Sequence, residues 1–203
     1  MAFDRNVFIN CPFDDEYYPL LRPLLFTIIV LRFRPRIALE KLDSGEPRIQ
    51  KVMSLIRESK YAVHDLSRIE AKSAGEIFRF NMPFELGLDI GCKKYGGRRF
   101  AEKKCLILEV ERYRYQSAIS DLSNSDIYAH HNVPAEVVKA VRNWLVSEAV
   151  VKAPGPSKLW AQFNEFMAYN FDELTREGWS KSDIKSLAIN ELIVYMQEWC
   201  SHA

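Results

Sequence analysis

Short apolar runs alternate with helical patterns through the first 150 residues of this 203-residue chain, and few folds accommodate that alternation. It is the signature of a parallel sheet covered on both faces. Strands are expected at 6–10, 36–40, 61–65 and 104–110, with helices at 17–33, 47–59 and 83–94 between them. Connections this short impose parallel pairing through right-handed crossovers. The expected fold is therefore α/β, a three-layer, flavodoxin-like parallel sheet with helices on both faces and a C-terminal helical extension.

Composition narrows the partners. With 48% hydrophobic residues the chain can bury a substantial core. Its formal net charge of +1 gives no global field for nucleic acid or an anionic membrane, so any nucleotide ligand must be held by a local site. Cys11, Cys92, Cys105 and Cys200 are scattered without a CxxC pair, which predicts reduced thiols in a cytoplasmic protein. The opening residues lack signal-peptide architecture, and the longest apolar run, 20–31, is interrupted by Arg22 and too short to span a bilayer.

The polar tract 113–132 reads as a loop over one end of the sheet, followed by a helix over about 134–150. Ala153-Pro154-Gly155-Pro156-Ser157 then breaks the chain, dividing an α/β domain at 1–152 from a helical pair at 157–203. The pair is expected at 158–170 and 182–199, joined around Gly178, with Trp160, Phe163, Phe166, Trp179 and Trp199 as aromatic surface. That surface either packs on the domain or serves assembly.

In an open parallel sheet ligands bind beyond the carboxyl ends of the strands, near the point where strand order reverses. Position therefore selects the candidates. The first strand runs out into Cys11-Pro12-Phe13-Asp14-Asp15 and the third ends in His64-Asp65-Leu66-Ser67-Arg68. A third segment, Arg79-Phe80-Asn81-Met82-Pro83-Phe84-Glu85-Leu86-Gly87, lies at the same edge. Pro83 at a helix start with Asn81 as its cap would put Glu85 in the first turn, where the helix dipole favours the anion. The binding set is thus Cys11, Phe13, Asp14, Asp65, Ser67, Arg68, Arg79 and Asn81 around Glu85. His64 reads as a satisfied buried histidine. His130 and His131 match no metal-ligand spacing, and GxGxxG, Walker and GxSxG motifs are absent from the sequence.

With these residues the chain resembles the superfamily that joins Toll/interleukin-receptor (TIR) domains with nucleoside 2-deoxyribosyltransferases. The resemblance covers about residues 5–150. It is carried by Val7-Phe8-Ile9-Asn10-Cys11-Pro12-Phe13-Asp14, by Ile56-Arg57-Glu58-Ser59 before Tyr61-Ala62-Val63-His64-Asp65-Leu66-Ser67-Arg68, and by Asn81-Met82-Pro83-Phe84-Glu85-Leu86-Gly87. It implies a glycosidase or glycosyltransferase that cleaves the N-glycosidic bond of NAD or a related nucleotide, with Glu85 attacking or stabilising the anomeric carbon. Asp65 and Asp14 would accept ribose hydroxyls and Arg68 or Arg79 would hold a phosphate. NAD or a nucleotide is then substrate, no separate cofactor is needed, and the implied setting is bacterial antiphage defence by a homo-oligomer or with a partner effector protein. The serine or cysteine and the tryptophan that TIR enzymes carry shortly before the glutamate are replaced here by Phe80, Asn81 and Met82. The same fold without turnover would be a nucleotide-ligand sensor or a self-association adaptor.

Overall fold

The computed structural model describes residues 2–40, 43–68, 80–117, 119–122 and 125–202. Five strands form one all-parallel sheet: β1 (Asn6–Asn10), β2 (Arg34–Ile37), β3 (Tyr61–Asp65), β4 (Lys104–Glu109) and β5 (Ile127–Ala129), in the order β2-β1-β3-β4-β5. The helices are α1 (Tyr18–Val30), α2 (Arg48–Glu58), α3 (Asn81–Tyr95), α4 (Pro134–Ala149), α5 (Pro156–Arg176), α6 (Lys181–Lys185) and α7 (Ile189–His202). The architecture is the flavodoxin-like α/β sandwich, with α2 and α3 on one face of the sheet and α1 and α4 on the other.

Side-chain alternation along the strands builds both layers. Val7, Ile9, Tyr61 and Val63 pack with α1 and α4, while Phe8 and Ala62, one residue out of phase, pack with Val52, Leu55 and Ile56 of α2. Helix α1 is apolar on nearly every side apart from Arg22: Leu20, Leu21, Leu24, Leu25, Phe26, Ile28 and Ile29 are all buried. A helix of that kind needs cover on its outer side too. The C-terminal helices supply it, and Phe26 stands 5.7, 5.6 and 5.6 Å from the ring centres of Phe163, Phe166 and Trp199.

Three expected elements are corrected. The second strand covers 34–37 rather than 36–40, because the Arg36 guanidinium turns back to Glu40 at 2.6 Å and to Glu58 at 2.8 Å, and the chain curls into a 3-10 turn at Ala38–Glu40. The tract 113–132 is not simply a loop: it contains two 3-10 turns and the edge strand β5, with Tyr115 and His130 fully buried. The helix expected at 182–199 is two, α6 and α7, separated at 186–188. Among the described residues no helix is long and apolar enough to cross a membrane.

Candidate functional site

Strand order reverses between β1 and β3, and Asn10 at the end of β1 lies in register with His64. The segments leaving these two strands open side by side. Asn10 also fixes the third wall of the crevice: its Nδ2 donates to the Met82 carbonyl at 2.8 Å, tying the first turn of α3 to β1. The same amide group lies 3.0 Å from His64 Nδ1. An amide NH2 can only donate, so Nδ1 accepts and the ring proton sits on Nε2. That nitrogen faces Asp89 Oδ2 at 3.2 Å. The other Asp89 oxygen is 2.9 Å from Lys103 Nζ, which also donates to the carbonyls of Ile56 (2.7 Å) and Ser59. Burial pushes the Asp89 carboxyl up, but His64 and Lys103 outweigh it and hold its pKa below the ordinary aspartate value.

The next residue, Asp65, repeats the arrangement on the other face. It is 0% exposed and takes the Tyr17 hydroxyl at 2.6 Å and the Ser67 N–H at 2.8 Å. His130 Nε2 lies 3.2 Å from Asp65 Oδ2, and its Nδ1 accepts the Asn132 N–H, so this ring too turns its proton toward an aspartate. Burial again pushes the carboxyl up, and His130, Ser67 and Tyr17 together bring it below the ordinary range. Asp65 is thus an internal strut, with its oxygens turned to the protein rather than to a ligand.

Glu85 differs. Helix α3 begins at Asn81 with Phe80 in the capping position and no side-chain cap, so Glu85 is the fifth helical residue and not in the first turn. The expectation of Asn81 as cap fails because the chain is already helical there; Pro83 still falls in the first turn, where its missing N–H costs nothing. Glu85 is 8% exposed and has no hydrogen-bond or ion-pair partner among the described residues. Burial pushes its carboxyl above the ordinary glutamate value, with the charge of Arg48 pulling the other way. The dipole-held anion expected from a first-turn position is corrected to a desolvated acid.

Cys11 marks the point of convergence. Its thiol is 3% exposed and raised well above the ordinary value, first by burial and then by the charges of Asp65, Glu85 and Asp14. The charges of three carboxylates from three segments act on this one thiol, which stays neutral rather than becoming a reactive thiolate. Asp14 accepts the Tyr17 N–H at 3.0 Å and meets Arg68 at 3.5 Å, while Arg68 also pairs with Glu16 at 2.9 Å. Its guanidinium is held between two acids. Ser67 is buried, and its carbonyl accepts from Arg114, whose guanidinium grips the fully buried Glu109 at 2.6 and 2.8 Å. Phe13 is half-buried against the core, Asn81 is exposed, and Arg79 lies outside the described residues.

The crevice thus gathers Cys11, Asp14, Asp65, Ser67, Arg68 and Glu85. Sequence reasoning missed Tyr17, His130, Glu109 and Arg114, which hold the loops in place. For His130 the available signal was its place just after the last strand. Among the described residues no group of three or more His, Cys, Asp or Glu side chains is arranged to hold a metal ion. Comparison with protein-family models, with curated proteins and with solved structures returns no match for the chain.

Proposed function

We propose that the chain cleaves the N-glycosidic bond of NAD or a related nucleotide, with Glu85 as the carboxylate that meets the anomeric carbon. One observation carries the reading: Glu85 is buried at the switch point of the sheet without a hydrogen-bond or ion-pair partner among the described residues, whereas Asp65 nearby is bonded to Tyr17 and Ser67 and Asp89 is paired with His64 and Lys103. Burying an unpartnered acid costs stability, and such strain concentrates where a fold serves chemistry.

The chemistry suits the group. Breaking the bond between ribose and nicotinamide or a base develops positive charge on the anomeric carbon, and a fixed, poorly hydrated carboxylate offsets that charge more strongly than a solvated one. A defensive role by nucleotide depletion follows from the resemblance alone.

The test is a product assay by chromatography, with NAD and with a panel of nucleosides and deoxynucleosides, beside Glu85→Gln. Release of nicotinamide or free base by the parent and its loss in the variant supports the reading. Ligand binding without turnover in both proteins replaces it with a nucleotide sensor.

A further inference from the structure

Beyond the crevice, α5 and α7 enclose a groove of about 630 Å3 on the outer side of α1. Glu165, Glu173, Glu177 and Glu198 line it, Tyr195 and Trp199 form part of its walls, and no lysine or arginine is among its lining residues. Arg176 bonds Glu173 from outside; Glu165 and Glu177 have no ion-pair partner among the described residues. Asn170 adds an independent sign of a missing ligand. It is 6% exposed, lines the groove, and its side-chain amide has no hydrogen-bond partner among the described residues. Acids, aromatic faces and an unused amide acceptor together suit an ammonium or guanidinium group.

The chain carries a matching cationic feature. The turn Lys93-Lys94-Tyr95-Gly96-Gly97-Arg98-Arg99 is exposed throughout and has four cations and no acid. Lys93, Lys94 and Arg98 have no ion-pair partner among the described residues, and Tyr95 between them is 92% exposed. The turn is also preformed. The Gly96 N–H donates to the Cys92 carbonyl at 2.9 Å, the Phe100 N–H to the Gly97 carbonyl at 3.0 Å, and Arg99 lies 4.6 Å over the Phe3 ring. Rigidity of this kind lowers the ordering cost of docking.

Turn and groove lie on opposite faces of the sheet, since 93–99 comprises the last residues of α3 and the turn that leaves it, and the groove lies beyond α1. One copy cannot fill its own groove with its own turn. We propose that the α5–α7 groove receives the 93–99 turn of a second copy of this chain. The contact is head-to-tail, so it extends into chains unless its rotation closes a ring. The turn precedes β4 and so sits at the edge of the sheet away from the crevice, which stays open in the assembly.

Sedimentation of the full chain tests this. Association that weakens roughly tenfold or more between about 0.05 M and about 0.5 M salt is expected. Lys93→Gln/Lys94→Gln and Glu165→Gln/Glu177→Gln should each abolish it, with unchanged circular dichroism and melting. Mixing the two variants should restore a one-to-one complex and nothing larger, because one keeps an intact turn and the other an intact groove. A parent protein that stays monomeric at low salt, association that survives either pair of substitutions, or a mixture that fails to pair overturns the proposal.

Discussion

His64 and Asp65, neighbours at the end of β3, face opposite sides of the sheet, and each forms one half of a buried histidine–aspartate pair, with Asp89 and His130 respectively. In both pairs Nδ1 accepts an N–H and Nε2 is turned to the carboxylate. The switch point of the sheet is thereby clamped from both faces.

Removing one charge from the α3-side network should be severe. Asp89→Asn leaves the Lys103 ammonium, 1% exposed, without its carboxylate, and loss of a buried partner costs about 3–5 kcal/mol. Urea unfolding should show a large drop in midpoint at pH 7. A shift below about 1 kcal/mol would mean that the two carbonyls alone hold the ammonium.

The pairs also set an acid limit. The folded pKa values of Asp65 and Asp89 lie below the ordinary 3.8, so the folded state binds these protons less readily than the unfolded chain. Their stabilisation is complete above the unfolded value, about 4, and is lost as pH falls through the folded values. Unfolding midpoints from this source should be level between about pH 5 and 7 and fall below about pH 4. The double variant Asp65→Asn/Asp89→Asn should be less stable at neutral pH but flatter in the acid window.

Glu85 has the opposite sign. Its folded pKa lies above the ordinary 4.5, so its burial as an anion is a cost that is full above the folded value and relieved as pH falls. Glu85→Gln should therefore raise the melting temperature at pH 7, by about 2–4 °C if the gain nears 1 kcal/mol, and the gain should shrink toward pH 4.5. A variant that loses turnover while gaining stability separates a working acid from a structural one. An equal or lower melting temperature would remove the case for strain here.

Phe26→Ala should cost about 3–5 kcal/mol, because it removes one ring from contact with three others. Trp fluorescence should shift to the red with it, since Trp199 loses its cover. A loss under about 1 kcal/mol would show that α5 and α7 are held chiefly elsewhere.

What the sequence disclosed follows the range of the forces. Strand β3 was legible because all five of its residues are buried and write an unbroken pattern. Strand β5 was not, because a three-residue edge strand needs little apolar surface and its flanks are polar. The ends of β1 and β3 were found by topology, so Cys11, Asp14 and Asp65 were named. The partners that decide what Asp65 does, Tyr17 and His130, come from distant segments, and no local spacing records such meetings. Glu85 was named from the same edge, but its surroundings were misjudged, since helix entry at Asn81 rather than Pro83 turns on backbone angles that the residue types leave open.

Helix α1 also fixes an order of events at the ribosome. Its outer face is finally covered by residues of α7, synthesised roughly 160 positions later. At roughly 5–20 residues per second, Phe26 and its neighbours wait on the order of ten seconds or more for that cover. During this interval the nascent chain presents a greasy helix to its surroundings, so its yield in the cell should depend on holding chaperones more than its final stability suggests.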